Sequence, residues 1–358
     1  MPATYKILIM GASYGSLLAS KILFGGHKLH LVCLPAEADL INSEGFRVRL
    51  PVRGRKDPIE LDSRKLPGKV TAGPATGVNP KDHDLVGLAM QEPQYRSAGV
   101  RELLDAVGKS RVPCMSIMNM PPLPYLARIP GVGAANAALR ECYADATVWD
   151  SFDPALMTLC SPDPQAFRPP EEKGNVLQVS LPTNFKAAAF EAPAHTGMLR
   201  AMAAGIEGIR FEDRGRMIDL PVKLKVHDSV FVPLAKWSML IAGNYRCIQD
   251  EGMRSIREAV HGDLEQSRAV YDWVGEVCLA LGASDRDLVP FEKYANAALG
   301  LARPSSAARA LFAGATNIER VDRLVQAIGA RKAMRLVAVD EIVARVDARL
   351  AVNRRAAA

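Results

Sequence analysis

Two segments far apart in the chain carry the residues whose types and spacing could do chemistry. Residues 6–16 read Lys-Ile-Leu-Ile-Met-Gly-Ala-Ser-Tyr-Gly-Ser, an apolar run that ends in a turn of small residues. Residues 236–244 place a lysine and an asparagine on an otherwise mostly apolar segment. The first pattern indicates a nucleotide site and the second a polar chemical site in a separate helical half. Together they indicate a reductase.

The turn of small residues is a candidate phosphate cradle. A dinucleotide site uses G-x-G-x-x-G between a strand and a helix, so that the helix N-terminus faces the pyrophosphate. Gly11 fits the first glycine, Ser13 and Ser16 stand at the second and third positions, and Gly15 lies one place early. The alternative is a tight turn that only packs a helix on a sheet. We expect the cofactor to be bound by Gly11, Ala12, Ser13, Tyr14, Gly15 and Ser16.

The identity of the dinucleotide depends on the end of the second strand, where an acid binds the ribose diol or an arginine accommodates the 2′-phosphate. The residue there is Leu34, which is neither acidic nor basic, and Glu37 follows a little late. Arg47 and Arg49 are near in sequence, but the pattern gives them no place in the fold. Charge therefore leaves both NAD and NADP open.

Lys236 is the candidate general acid. Reduction of a carbonyl needs a proton for the oxygen, and a lysine ammonium can stabilise the developing alkoxide and then protonate it. Asn244 is eight residues further on, a little over two helical turns, so both residues are expected on one face. The alternatives are that Lys236 lies on the solvated stripe of an amphipathic helix and that Asn244 only caps the backbone near Gly243.

The elements that must position these residues alternate between strand and helix in the first part of the chain. Apolar runs predict buried parallel strands, and one amphipathic pattern follows the third of them. A paired pattern predicts a hairpin, and a segment with four prolines predicts a surface loop. The predicted strands are 5–10, 28–34, 84–90, 112–118 and 176–181, the helices 14–24 and 94–107, the hairpin 46–61 and the loop 161–170.

From about residue 228 the pattern changes to helices, the longest at 264–281 and 334–352. The fold class that follows is α/β, with an N-terminal Rossmann-type dinucleotide-binding domain and an all-helical C-terminal domain. We place the cofactor domain at residues 1–225 and the substrate and dimerisation domain at residues 226–358. Ser305 could cap one of the later helices.

The segments together resemble the ketopantoate reductase family, which has a Rossmann half and a helical half and reduces 2-oxo acids with NADPH. Residues 26–32 are similar to the family's GHxVxLV, and the strand that ends in Asn119 is similar to its NGxG corner. Residues 236–244 resemble its K-L-x-x-N-x-x-x-N helix. The resemblance implies NADP, with NAD as the alternative.

The same resemblance implies roles for single residues. Lys236 would be the catalytic acid, and Asn119 would lie near the nicotinamide and take part in both cofactor binding and catalysis. Turn formation before two prolines is the alternative role of Asn119. The substrate would be bound by Asn244, Ser305 and Asn317, although a helix cap is an equally good role for Ser305.

Several positions depart from the family pattern. Leu34 replaces the arginine that grips the NADP phosphate, Met120 replaces the corner glycine, and Leu240 replaces the first helix asparagine. Asn317 stands where a substrate-binding glutamate is expected, unless a shifted alignment brings Glu319 there. An altered substrate site is expected, and ketopantoate itself is not favoured. The alternatives are an opine-type dehydrogenase and a dinucleotide-binding sensor without turnover.

Composition limits the classes of partner. The net charge of +6 suits anionic small ligands, and the absence of a basic stripe with interleaved aromatics argues against nucleic acid. No apolar run reaches the length that spans a bilayer, which argues against a membrane protein. Six scattered cysteines without a C-x-x-C pair argue against a zinc site and a disulfide framework and favour the cytoplasm, and no metal is expected. We expect a small-molecule substrate and a homodimer formed through the long C-terminal helices.

Overall fold

The structure is a computed structural model, and it describes residues 3–133 and 136–357. Contacts among these residues divide the chain into two compact units. The α/β unit contains the residues up to 90, 94–125 and 148–228, and the helical unit contains 91–93, 126–147 and the residues from 229 onward. An α/β part followed by a helical part is the predicted fold class, which is therefore confirmed.

All strands found in the described residues belong to the α/β unit. They are β1 (Lys6–Met10), β2 (Lys28–Val32), β3 (Arg47–Leu50), β4 (Ile59–Asp62), β5 (Lys69–Gly73), β6 (Leu85–Leu88), β7 (Cys114–Ser116), β8 (Met157–Ser161), β9 (Gln165–Phe167), β10 (Val176–Leu181), β11 (Phe185–Ala188), β12 (Arg210–Asp213), β13 (Arg216–Asp219) and β14 (Leu224–His227).

The helices are distributed over both units. They are α1 (Ala12–Phe24), α2 (Pro35–Glu44), α3 (Val100–Ser110), α4 (Leu123–Leu126), α5 (Ala137–Arg140), α6 (Pro193–Glu207), α7 (Lys236–Met239), α8 (Ile256–His261), α9 (Leu264–Ala280), α10 (Phe291–Ala298), α11 (Ser306–Phe312), α12 (Val321–Arg331) and α13 (Val337–Ala357). None of the helices in the described chain is long and apolar enough to cross a membrane.

An eight-stranded sheet forms the centre of the α/β unit, in the order β14-β11-β8-β7-β6-β1-β2-β5. Along this order, the six strands β8, β7, β6, β1, β2 and β5 are each parallel to their neighbours. Read from β5 to β8, this is the 3-2-1-4-5-6 strand order of a dinucleotide-binding fold. β11 then adds antiparallel to β8. Because the chain reverses its direction of travel across the sheet between β1 and β6, a ligand crevice is expected outside the carboxyl ends of those strands.

The middle of the sheet is buried, and its strands β1 and β6 are apolar runs. Ile7 and Ile9 of β1 pack with Leu17 and Leu18 of α1 in one cluster of fully buried side chains. The glycine pair at residues 25–26 ends α1, as its position after the last apolar turn predicts. This packing fixes the position of α1 relative to β1, and it therefore also fixes the turn between them.

A second sheet, in the order β4-β3-β10-β9, corrects one prediction and confirms another. β3 and β4 pair antiparallel, so the predicted hairpin is confirmed. The prediction of a loop over residues 161–170 is wrong in its middle, because β9 pairs antiparallel with β10 there. The four prolines of this segment lie outside the bounds of β9, since proline cannot supply the N–H of a strand ladder.

The helical unit is organised around α9. Its apolar residues at helical spacing, Val270, Val274 and Val277, are fully buried, as the sequence pattern predicts. Asp263 caps the start of the helix by accepting a hydrogen bond from Gln266 N–H at 2.9 Å. The predicted helix over residues 264–281 is confirmed to within one residue.

Lys21 is a buried cation in the α/β unit. Its Nζ donates to the carbonyl of Pro221 at 2.6 Å, and Val222 follows in the left-handed region with φ of 67°. Lys223 is also buried and donates to Asp219 at 2.8 Å. Burial and the nearby Lys223 charge lower the pKa of Lys21 to about 7, against the opposing effect of Asp219.

We predict that Lys21 makes the free energy of unfolding rise with pH. Above pH 7 the folded chain releases this proton, whereas the unfolded chain keeps it up to the ordinary lysine pKa of 10.5, so alkali favours the folded state in that window. Between pH 7 and 9 the gain should be on the order of 2 kcal/mol and should be absent from Lys21→Met. Urea unfolding at each pH measures it.

Lys65→Met is the matched control, because it removes one charge from an exposed lysine of the same unit. Its profile should run parallel to that of the unsubstituted chain. A Lys21→Met profile that also runs parallel would contradict the assignment of this titration to Lys21.

Candidate functional site

Gly11 makes the turn between β1 and α1. Its N–H donates to the carbonyl of Val32 at 2.9 Å, and its φ of 106° lies in the region that glycine favours. A Cβ at this position would lie 2.8 Å from the carbonyl oxygen of Ala89, directly after β6. The missing side chain therefore lets the turn lie against the end of β6, at the point where the strand order reverses.

The N-terminus of α1 is suited to an anion. α1 begins at Ala12, directly after Gly11, and among the described residues no side chain caps it and no acid lies in its first turn. The first N–H groups of a helix have no partners within the helix and carry a partial positive charge. Ser13 is exposed at this end. The residues at this terminus therefore fit the pyrophosphate of a dinucleotide.

Residues 14–16, in the first turns of α1, pack against the rest of the α/β unit. Tyr14 donates its hydroxyl to the carbonyl of Pro164 at 2.6 Å, and burial raises its pKa well above the ordinary range. A Cβ on Gly15 would lie 2.7 Å from Cγ2 of Ile9. Ser16 is buried and donates to the carbonyl of Ser13 at 2.9 Å. The serine at the third glycine position therefore satisfies its hydroxyl within the helix.

Asn119 lies at the same edge of the sheet as Gly11. It follows β7, which is the parallel neighbour of β6, and β6 is in turn the neighbour of β1. Asn119 is half-buried, and Met120 after it is fully buried. The sheet therefore brings together two of the predicted site positions, Gly11 and Asn119, at one set of carboxyl strand ends.

The lysine segment of the helical unit is not a regular helix. Lys236 is half-buried and begins α7, and residues Leu240–Asn244 then form a π turn in which Tyr245 N–H donates to the carbonyl of Leu240. Eight residues of an α-helix overshoot two turns, because one turn holds about 3.6 residues. A π turn holds more residues per turn, so Asn244 comes closer to the direction of Lys236.

Tyr294 holds this π turn in place. Its hydroxyl donates to the carbonyl of Met239 at 3.0 Å, and its ring stacks on Tyr271 at 5.4 Å between centroids. Gly243 leaves the room for that hydroxyl, because a Cβ there would overlap the Tyr294 oxygen. The conformation of this segment therefore depends on the missing side chain of Gly243 and on the Tyr294 side chain from α10.

Ser305 is a helix cap that also holds the Asn244 backbone. Its hydroxyl accepts from the N–H of Ala308 at 3.1 Å and donates to the carbonyl of Asn244 at 2.7 Å. It is 2% exposed. The predicted capping of the following helix is confirmed, and the hydroxyl proton is used by a backbone carbonyl.

Asn317 and Glu319 have different surroundings. Asn317 is half-buried; its amide donates to the Thr316 hydroxyl at 3.1 Å and its carbonyl oxygen accepts from Arg354 at 3.3 Å. Glu319 is buried, and its backbone carbonyl accepts from the Tyr245 hydroxyl at 2.5 Å. Tyr245 directly follows the π turn, so this hydrogen bond ties the Glu319 segment to the lysine segment.

Sequence reasoning missed Arg168. This residue follows β9 in the chain, but its side chain reaches the segment after β2. Arg168 forms an ion pair with Glu37 in the first turn of α2. The two arginines that sequence proximity suggested are engaged elsewhere: Arg47 faces Glu60 at 3.6 Å, and Arg49 contacts both Glu60 and Glu172. No signal in the sequence pairs residue 168 with residue 37, because 131 positions separate them.

Metal ligation and thiol chemistry have no candidate group in residues 3–133 and 136–357. No cluster of three or more histidine, cysteine or acidic side chains there could hold a metal ion. The cysteines are free thiols, and burial raises the pKa of Cys114 and Cys160 far above the ordinary value. Such thiols remain protonated and unreactive.

Comparison with known proteins identifies the fold. No protein-family model matches the chain, and a search of curated proteins finds no match. Solved structures match nearly end to end. A D-mandelate dehydrogenase bound to NADH and anilino(oxo)acetate has a TM-score of 0.62 at 12% identity, over 98% of this chain and 99% of that one.

Two further structures carry reductase names. The 2-dehydropantoate 2-reductase of Methylococcus capsulatus has a TM-score of 0.60 at 14% identity, over 97% of each chain. A dimeric ketopantoate reductase of Staphylococcus aureus has a TM-score of 0.58 at 10% identity, over 97% of this chain and 99% of that one. The chain therefore has the fold of the ketopantoate reductases, which its motifs resemble, at very low sequence identity.

We predict that Gly243→Ala destabilises the helical unit by about 1–3 kcal/mol, because the new methyl group must displace the Tyr294 hydroxyl from Met239. Denaturant unfolding measures the change. The control is Gly205→Ala in α6, where an added Cβ meets no atom of the described chain within 4 Å. That substitution should stabilise by about 0.5–1 kcal/mol. Equal changes in the free energy of unfolding in the two variants would contradict the proposal that Gly243 leaves room for the Tyr294 hydroxyl.

Proposed function

We propose that the chain is an NAD(P)H-dependent reductase of a 2-oxo acid or a related carbonyl compound. The full-length likeness in fold to a 2-dehydropantoate reductase and a D-mandelate dehydrogenase carries this proposal. The names of both enzymes describe the interconversion of a 2-oxo acid and a 2-hydroxy acid. The Gly11 turn, at the reversal of strand order in the α/β unit, supports dinucleotide binding.

In this proposal each candidate residue has one task. The N-terminus of α1, with Gly11 and Ser13, holds the pyrophosphate, and Asn119 orients the nicotinamide ring. The nicotinamide, when bound, supplies the hydride to the carbonyl carbon. The Lys236 ammonium donates a hydrogen bond to the carbonyl oxygen and then gives it a proton, which leaves a neutral hydroxyl and a neutral amine.

Substrate recognition falls to the residues around the π turn. Asn244 offers an amide to a substrate hydroxyl or carboxylate, and Ser305 and Gly243 are positioning residues that fix its backbone. Asn317 stays the candidate replacement for a glutamate of the family. Its neutral amide favours a substrate with a different polar group at that end, which fits an altered substrate range.

We also propose a homodimer with a small-molecule substrate in the cytoplasm. The dimeric state named for the Staphylococcus aureus structure supports the first part. Leu264, Leu299 and Val337 of the helical unit expose between 45% and 65% of their surface, which a subunit interface would cover. Free thiols support a reducing compartment.

The direct test is NADPH binding followed by turnover. Binding should enhance NADPH fluorescence, and a panel of pyruvate, 2-oxoisovalerate, ketopantoate and phenylglyoxylate should then oxidise it, with at least one acid preferred over ketopantoate. Phenylglyoxylate is included because it is the 2-oxo acid that corresponds to mandelate. Binding without oxidation of NADPH by any of the acids would support a dinucleotide sensor instead, and no binding of NADPH or NADH would refute both functions.

We predict that Lys236→Ala lowers kcat at least about 100-fold, because the proton donor is lost, while the Kd for NADPH changes less than about twofold. Steady-state kinetics and fluorescence titration measure the two quantities. Lys293→Ala removes an exposed lysine of the same unit and should leave both unchanged. Unchanged kcat in Lys236→Ala would remove this lysine from the mechanism.

A further inference from the structure

The ion pair of Glu37 and Arg168 lies at the carboxyl end of β2. Arg168 Nη2 donates to Oε1 of Glu37, which belongs to the first turn of α2. The pair adjoins Cys33, the residue that directly follows β2. Burial and the Glu37 carboxylate raise the pKa of the Cys33 thiol to about 12, against the opposing effect of the Arg168 guanidinium.

This position is the ribose end of a dinucleotide fold. β2 is the parallel neighbour of β1, and neighbouring strands lie about 4.8 Å apart. The ion pair is therefore one strand away from the Gly11 turn, at the same edge of the same sheet. In such folds the residues after the second strand contact the ribose 2′-hydroxyl or the 2′-phosphate.

Arg168 can bind a phosphate in addition to Glu37. Its side chain is 33% exposed, whereas that of Glu37 is 15% exposed, so the cation is the more accessible member of the pair. A guanidinium has five N–H donors, and within the described residues its hydrogen bonding is to Glu37. The remaining donors suit the planar, two-point recognition of phosphate oxygens.

Leu34 completes this surface. It is the N-cap residue of α2 and is 75% exposed, the largest exposed fraction among the large hydrophobic side chains of the described chain. This exposed leucine precedes Glu37, the partner of the guanidinium, by three residues, and it offers an apolar surface to an adenine ring. Leu34 itself cannot bind a phosphate.

We propose that Arg168 recognises the 2′-phosphate of NADP, with Glu37 as its positioning residue and Leu34 as the contact for adenine. This rests on the proposed function. The 2′-phosphate carries nearly two negative charges and forms charge-assisted hydrogen bonds with the guanidinium. Glu37 limits the preference, because its carboxylate repels the phosphate and can accept hydrogen bonds from the ribose hydroxyls of NAD.

The test compares the Kd values of NADPH and NADH for the full chain by fluorescence titration. Arg168→Gln should raise the Kd of NADPH at least about 10-fold and that of NADH less than about twofold. Glu37→Gln should lower the Kd of NADPH and raise that of NADH. Arg168→Lys should restore part of the NADPH affinity, since the charge returns without the planar geometry.

The matched control is Arg111→Gln. Arg111 is ion-paired with Asp153 at 2.8 Å, and it lies just before β7, at the opposite edge of the sheet. The Arg111→Gln substitution should change neither the Kd of NADPH nor that of NADH. Thermal unfolding of every variant checks that the fold is retained.

Three outcomes would overturn the inference. A tighter Kd for NADH than for NADPH in the unsubstituted chain would contradict a 2′-phosphate site. Equal losses for both cofactors in Arg168→Gln would give Arg168 a general structural role, and no loss for either would exclude it from the site. In these cases the proposed reductase stands, whereas failure of the unsubstituted chain to bind either cofactor would refute the reductase itself.

Discussion

The reversal of strand order between β1 and β6 is the constraint on which the α/β unit depends. Parallel strands end at one edge, so whatever follows β1, β2, β6 and β7 is delivered to the same side of the sheet. Gly11, Cys33, Ala89 and Asn119 follow these strands in turn. One glycine without a Cβ lets two of these connections lie in contact. The sheet alone therefore brings together the residues that are proposed to bind the cofactor at this edge.

The helical unit assembles its candidate residues by a different principle. Lys236 and Asn244 lie on one short segment, and their relative direction is set by a π turn rather than by helical regularity. The turn is held from outside, by the Tyr294 hydroxyl on one side and by the Ser305 hydroxyl at its end. π turns occur often at functional sites because they displace a side chain without breaking the helix. Here the displaced residue is the asparagine.

Patterns that are local in sequence could be predicted, and patterns that depend on distant partners could not. The first strand, the glycine turn and the second strand followed from one apolar run, one turn of small residues and another apolar run. The cap at Ser305 followed from a single residue type. β9 was missed because four prolines surround it, and its pairing with β10 supplies the stability that its composition does not.

The candidate site divides in the same way. Gly11 and Lys236 could be selected from type and spacing, and Asn119 from the resemblance of its segment to a family motif. The π turn could not be predicted, because Tyr294 is 55 residues from the carbonyl it binds. Arg168 could not be found from sequence, because only the fold brings it to Glu37. A single sequence does not show which distant residues are in contact in the folded protein.

Gly243 and Tyr294 share one small volume, so neither can change alone without cost. A related chain that carries a larger residue at the first position must lose the aromatic hydroxyl at the second, and its helix would then run on without the bulge. Divergence at these two positions is therefore expected to be correlated among homologues. The residues at these two positions would then distinguish homologues that keep the π turn, and with it the orientation of the asparagine, from homologues that lack it.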